Sequence, residues 1–266
     1  MVKSSISLSA LAVLASIAIA TAKSEQKPLF KTNSDYTCTH PPYKVLMVSK
    51  SPLVIYVKDF LTPDERAHLL KLTENTFSRS GVTASTGHHH SVRTSQSTTP
   101  PRDALVRCIE QRALSFQGYD TPASHLEPLQ LVKYGPSERY HYHTDWFTSS
   151  AHTTGQGGNR VSSFFAYVHV SNDTSGGGTN FPRLNPPESA KWCEEKIVDC
   201  DEEWENGITF LPVEGNAIYW ENLGQNGRGD ERTLHAGLPV LTGNKVGMNI
   251  WTREGGLPEG IRGEDL

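Results

Sequence analysis

Tyr140-His141-Tyr142-His143-Thr144-Asp145 is the stretch on which the reading of this chain turns. Side chains alternate between the two faces of an extended strand, so residues two apart point the same way. His143 and Asp145 therefore share a face and can reach one metal ion. An H-x-D pair by itself is common and seldom marks a metal site. What lifts this one above background is His235, far downstream, followed ten residues later by Lys245. Two imidazoles and one carboxylate form a facial triad. Such a triad leaves three adjacent positions of an octahedral Fe(II) open for a bidentate cosubstrate and O2.

Outward from that stretch the chain reads as strands. Leu129–Tyr134 precedes it and ends at Gly135-Pro136, and a long aromatic and β-branched run, Val161–Val170, follows. Asn216–Trp220 and Val246–Thr252 are further strands. The N-terminal half carries two helices after a strand at Pro52–Val57. Thr62 as N-cap, Pro63 at the first helical position and Glu65 three residues after the cap start the first helix. Ala67, Leu70, Thr73 and Glu74 supply its modestly apolar face. The second helix runs from about Asp103 to Gln117 and stops at Gly118, with Leu105, Val106, Ile109 and Ala113 at helical spacing. Helices followed by irregularly spaced strands imply an α+β chain with a β-sandwich or barrel core. Residues 77–101 are polar and read as a long loop or two short edge strands. Leu184–Gly207 reads as an acidic insertion on the rim, with Trp192 and Trp204.

The chain has 266 residues, 36% of them hydrophobic and 20% charged, which suits one well-cored domain and excludes wholesale disorder. Its 22 glycines and 16 prolines suit a turn-rich β fold. A formal charge of −4 with no basic stripe argues against a nucleic-acid partner. Lys3, the apolar run Ile6–Ala20 and the small-residue patterns before Ala22 read as a secretory signal peptide over residues 1–22, since the run is short for a membrane span. No stable membrane insertion is expected, and the chain is placed in the secretory pathway, in the endoplasmic reticulum lumen or outside the cell. In that compartment four cysteines favour disulfides. Cys193 with Cys200 is the preferred pair. Cys38 with Cys108 follows by elimination, against the rival reading of Cys108 as packed helix core. Asn172-Asp173-Thr174 is a glycosylation sequon at Asn172. The C-terminal Gly263-Glu264-Asp265-Leu266 only loosely matches a retrieval signal. The expected division is a signal peptide, a lead-in over 23–50, one domain over 51–255 and a tail over 256–266.

A series of motifs in fixed order resembles the Fe(II)- and 2-oxoglutarate-dependent dioxygenases of the prolyl 4-hydroxylase type. They are Phe60-Leu61-Thr62, Val92-Arg93-Thr94-Ser95, Glu127–Tyr134, the H-x-D, Gly176-Gly177-Gly178-Thr179-Asn180-Phe181-Pro182, Gly215–Trp220, and His235–Val240 with Gly243-Asn244-Lys245. The acidic insertion and Trp220-Glu221-Asn222 resemble the fungal branch. The resemblance implies a double-stranded β-helix (jelly-roll) core with N-terminal supporting helices. It implies His143, Asp145 and His235 as Fe(II) ligands, and Lys245, Tyr134 and Thr179 around the distal carboxylate of 2-oxoglutarate. It further implies O2 as second cosubstrate, ascorbate as the reductant that rescues oxidised iron, and hydroxylation of a peptidyl proline with release of succinate and CO2. Glu127, Tyr140, Arg160 and Trp251 would line the groove for a proline-containing polypeptide, and segment 77–97 would close over it. The same chemistry on a small molecule or another side chain is the alternative, and a jelly-roll binding protein that has lost catalysis is a third reading.

Each role has a plainer rival: Lys245 as a solvated lysine, Arg160 as a surface charge, Tyr140 and Trp251 as core. His88-His89-His90 is read as exposed loop, since three adjacent histidines cannot all face one ion. Gly178 stands where an acid is common in the family and Val246 where an aromatic is common; both are expected near the cosubstrate or the groove.

Overall fold

A computed structural model of the chain describes residues 36–81, 93–118, 120–201 and 206–263. The signal-peptide segment, most of the closing loop, His88 to His90, Trp204 and the last three residues lie outside these. Thr62 starts the first helix, α1 (Pro63–Thr73), through a full capping box: its hydroxyl accepts from the Glu65 backbone N–H, and the Glu65 carboxylate accepts from the Thr62 N–H. Its buried face is Glu65, Leu69 and Thr73 rather than Ala67 and Leu70. The pattern misleads because a charged residue holds a core position. Glu65 is buried against Arg112, with Oε1 at 2.5 Å and Oε2 at 2.9 Å from the guanidinium. The second helix, α2 (Ala104–Gln117), starts under Asp103, whose side chain accepts from the Val106 N–H, and ends at Gly118 with φ 70°. A left-handed C-cap is the position glycine occupies at least cost.

Among the described residues, eight antiparallel strands form the larger sheet. Their spatial order is Lys44–Lys50, Leu53–Lys58, Ala217–Glu221, Arg160–Val170, Lys245–Arg253, Gln130–Tyr134, Gln96–Thr98 and Ser78–Arg79. A smaller sheet orders Ile208–Phe210, Thr179–Phe181, His235–Gly237 and Tyr140–His143. The alternation of the central strand decides which residues meet which layer. Phe164, Ala166 and Val168 face the two helices and join Leu69, Ile109 and Met248 in one core. Phe165 and Tyr167 face the smaller sheet and pack with Phe181, Phe210 and Trp220 in the other. Two sheets closed over an apolar filling, with helices backing one face, make the expected jelly-roll.

Three boundaries differ from the sequence reading. Lys44–Lys50, assigned to the lead-in, pairs along Leu53–Lys58 as the edge strand of the sheet. Its lysines and half-exposed Val45 and Met47 gave no two-fold apolar pattern. The tail is anchored: Leu257 is buried, and Arg262 makes a paired contact with Glu110, which Arg102 also holds. The acidic insertion is tied down by buried Leu184, Ile197 and Val198 and by the Cys193–Cys200 disulfide. A second disulfide joins Cys38 to Cys108 across 70 residues. Among the described residues no helix is long and apolar enough to cross a membrane, and Asn172 is exposed.

Glu65→Ala is expected to destabilise the fold by about 3–5 kcal/mol, because it strands a fully buried guanidinium and opens the capping box. Urea unfolding should show a lowered midpoint with unchanged slope. Replacing Glu65 and Arg112 together by leucine should restore much of the loss.

Candidate metal and cosubstrate site

His143 closes one strand of the smaller sheet and His235 opens its neighbour, and the two are direct antiparallel partners. Their rings lie 4.2 Å apart between centroids. Asp145 follows just beyond the strand rather than on it, and turns back so that Oδ1 stands 3.7 Å from His143 Nε2 and 3.9 Å from His235 Nε2. The three candidate donor atoms all lie within 4.8 Å of one another.

Each candidate donor is oriented by a second contact. His143 Nδ1 is 2.8 Å from the His141 carbonyl oxygen, and His235 Nδ1 is 2.9 Å from that of Thr233. A carbonyl only accepts, so Nδ1 carries the proton and Nε2 presents its lone pair inward. Asp145 Oδ2 accepts from Ser163 Oγ at 2.7 Å and Trp251 Nε1 at 2.9 Å, which leaves Oδ1 free to face the histidines. Burial, with the nearby His235, holds His143 far below the usual imidazole range and hence neutral. Burial alone would raise Asp145, but His235, His143, Arg160 and the Ser163 hydroxyl outweigh it and keep the carboxyl ionised. Phe181 stacks on His235 and Tyr140 on His143, at 5.4 Å and 3.6 Å between centroids. Two imidazoles with Nε2 turned inward and one carboxylate, converging on one point, are a donor set that fits a divalent iron.

The cluster opens into a cavity of about 610 Å³. At its inner end Tyr134, Phe165 and Thr179 line the wall, and Thr179 Oγ1 lies 2.8 Å from the Tyr167 hydroxyl. Lys245 stands behind them, fully buried. Its ammonium donates to the Gly177 carbonyl and lies 4.8 Å from the centre of the Tyr134 ring. Among the described residues no carboxylate pairs with it, and burial pulls its pKa from 10.5 to about 7. An unpaired buried cation is costly unless an anion arrives to meet it. Burial also pushes the Tyr134 phenol up to about 12, so it stays a donor.

At the outer end the structure brings Glu127, Tyr140, Arg160 and Trp251 together on the cavity wall. Arg160 is a partner within the wall, not a free cation. Its Nε and Nη2 donate to Glu127 at 2.7 and 2.8 Å, and its guanidinium lies 3.7 Å over the Trp251 ring. Arg253 makes a third contact to Glu127. Gly178 lies beside the Lys245 pocket, between Gly177, whose carbonyl takes the ammonium, and cavity-lining Thr179, whereas Val246 lies elsewhere than expected. A Cβ on Gly178 would stand 2.5 Å from Thr209 Cγ2, so no side chain fits there. Val246 packs in the helix-side core, on the opposite face from Lys245. Among the described residues none of the acidic insertion lines the cavity, whereas Ile261 of the tail does.

Residues 129–253 match the family model of the 2OG-Fe(II) oxygenase superfamily. The chain is 30% identical over 215 residues to Prolyl 4-hydroxylase 1 of Arabidopsis thaliana, covering 78% of this chain and 71% of that one. It is 31% identical over 217 residues to Prolyl 4-hydroxylase 2 of the same plant, covering 79% and 70%. The chain belongs to the prolyl 4-hydroxylase family of 2OG-Fe(II) oxygenases. Its fold is that of the viral collagen prolyl hydroxylase of Paramecium bursaria Chlorella virus-1, solved with 2OG, with a TM-score of 0.53 at 20% identity over 75% of this chain and 95% of that one. Fe(II), 2-oxoglutarate and O2 are accordingly its cofactor and cosubstrates.

Sequence reasoning missed what surrounds the ligands. The sequence gives no sign of Ser163, marks Asn222 only as part of a branch motif with no role, and places Trp251 on the groove wall although its indole also serves Asp145. The available signal was alternation: Ser163 shares its face with Phe165 and Tyr167 and has Trp251 directly opposite on the next strand. Phe147, Trp146 and Arg93 also line the cavity; Arg93 stands 4.7 Å over the Tyr140 ring.

Lys245→Met is expected to stabilise the ligand-free protein, by a few kcal/mol on the order of the burial penalty removed. The native lysine loses its proton near pH 7 and the unfolded one near 10.5. The unfolded state therefore binds more protons between those values, and native stability rises with pH across that window. Denaturation midpoints from pH 6 to about 10 should show that rise in the unaltered protein and lack it in Lys245→Met.

Proposed function

We propose that the chain is a prolyl 4-hydroxylase that acts on proline within an extended polypeptide in the secretory pathway. The observation that carries this reading is a His-Asp-His donor cluster on the wall of an open, aromatic-lined cavity, with a buried lysine that meets no carboxylate among the described residues packed behind the Tyr134 and Phe165 wall of that same cavity. His143, Asp145 and His235 hold Fe(II). Lys245 takes the distal carboxylate of 2-oxoglutarate, with Tyr134 donating to it and Thr179 beside it. When bound, the metal with 2-oxoglutarate and O2 supplies the power to hydroxylate a C–H bond, with succinate and CO2 released. The chain itself contributes position, charge and exclusion of water. Lys245 neutralises the dianion in a dry pocket, and the outer contacts of Asp145 offer the metal one oxygen only.

The outer cavity favours a peptide. Tyr140, Trp146, Phe147 and Trp251 on its lining supply an aromatic wall for proline rings. Proline-rich chains are already extended as polyproline II, so little entropy is lost when they bind. Arg160, engaged by Glu127, holds the Trp251 face in place. The two disulfides and the signal-peptide reading support a lumenal or secreted setting, and ascorbate is the expected reductant.

Enzyme supplied with Fe(II), 2-oxoglutarate and ascorbate should add one oxygen atom to proline in proline-rich peptides, with a matching yield of succinate. Mass spectrometry of the peptide and a succinate assay check it. Succinate release stimulated only by small metabolites, with no oxygen gained by any peptide, would refute the peptide reading. Because Lys245 must be protonated to pair with the carboxylate, apparent affinity for 2-oxoglutarate should weaken as pH rises above about 7 and level off below it. Lys245→Met should bind 2-oxoglutarate at least a hundredfold more weakly.

A further inference from the structure

We propose that Asn222 is a positioning residue for Asp145, a role that rests on the iron assignment above. Asn222 touches neither the donor cluster nor the cavity and is fully buried. It follows the strand Ala217–Glu221, which pairs with Arg160–Val170 so that Trp220 lies opposite Ser163. Trp251 lies opposite Ser163 from the other side. Three strands thus set Trp220, Ser163 and Trp251 in one row behind Asp145.

The direction of every hydrogen bond in the row is forced. The Trp220 indole can only donate, so the Asn222 atom 2.9 Å from Nε1 is the carbonyl Oδ1. The amide nitrogen must then face Ser163, and Nδ2 donates to Oγ at 2.9 Å. With its oxygen accepting there, the Ser163 hydroxyl turns its proton to Asp145 Oδ2 at 2.7 Å. A carboxylate that holds a metal carries no proton and can only accept. Asn222 therefore sets which way Ser163 points. With both Ser163 and Trp251 on Oδ2, Asp145 offers a metal Oδ1 alone. Were Oδ2 released, it could bind the same ion and occupy a position that 2-oxoglutarate needs.

The backbone of Asn222 reaches the other ligand. Its carbonyl accepts from the Asp230 N–H at 2.8 Å, the Asp230 carbonyl accepts from the Thr233 N–H at 3.0 Å, and the Thr233 carbonyl orients His235. Trp220 also packs edge-on against the His235 ring, 4.8 Å between centroids. One buried residue thus stands behind two of the three donors.

Asn222→Asp tests the assignment with almost no change of shape. The introduced carboxylate can accept from Trp220 but not donate to Ser163, so it draws the Ser163 proton away from Asp145. Metal-free protein would be titrated anaerobically with Fe(II) and then 2-oxoglutarate, following the visible charge-transfer band of the chelate, with thermal denaturation recorded alongside. Asn222→Asp should shift the band and weaken 2-oxoglutarate chelation at least tenfold, while iron affinity changes less. Ser163→Ala should act in the same direction and carries the test should the first variant not fold. The double variant should chelate no more weakly than Ser163→Ala alone, since both changes act through one hydroxyl. Unaltered band and affinity in folded Asn222→Asp, or in Ser163→Ala, or fully additive losses in the double, would overturn the proposal. Absence of the band in the unaltered protein would instead overturn the iron assignment, and the proposal with it.

Discussion

The antiparallel pairing of His235 with His143 is the contact on which the rest of this molecule depends. Two imidazoles from strands that are 92 residues apart in the sequence meet only because those strands are neighbours in the smaller sheet. A slip of one residue in that register would turn every side chain of one strand to the other face and separate the rings. The short strands concerned, three and four residues long, have few ladder bonds to hold the register. Side-chain packing supplies the rest. Phe181 and Trp220 flank His235, Tyr140 covers His143, and Asp145 is anchored from the larger sheet by Ser163 and Trp251. The donor cluster is thus a seam between the two sheets, and whatever holds the sheets together also holds the cluster.

The same architecture explains why charge is buried where it is. Glu65 with Arg112, and Glu110 with Arg102 and Arg262, are ion pairs closed on themselves, and they tie helices and the tail to the domain. Glu127 between Arg160 and Arg253 does so at the cavity wall. Lys245 differs from all of these because its ammonium faces rings and one backbone carbonyl. Local stability is lowered there, and the relief comes with loss of the proton or with an anionic ligand. On the proposed reading, that buried charge couples binding of the cosubstrate to settling of the site.

Much of this was legible in the sequence where local rules act alone. Thr62-Pro63-Asp64-Glu65 and Asp103 with Gly118 mark their helix ends by capping chemistry that needs no tertiary contact. The central strand announces itself by its aromatic and β-branched run. The donor triad was legible because motif order carried it; spacing alone could not have paired His143 with His235. Tertiary choices were not legible. A buried Glu65 hides the apolar face of α1, and the exposed edge strand Lys44–Lys50 has no alternation to show. Arg160 looked free until Glu127 stood beside it. Ser163 and Asn222, small and polar, carry no signature until the register lines them up behind Asp145.

Iron stoichiometry tests the central claim most directly. Equilibrium dialysis of the anaerobic protein against radioactive Fe(II), with folding confirmed by circular dichroism, counts the ions held per chain and their affinity. One tightly held ion in the unaltered protein, lost on His235→Ala and on Asp145→Ala, is the predicted result. Asp145→Glu should lose it too, since one more methylene moves the oxygen beyond the roughly 0.2 Å tolerance of a metal bond. An ion retained with unchanged affinity in the folded His235→Ala protein would contradict the account, because the paired strands would then have been set for something other than metal.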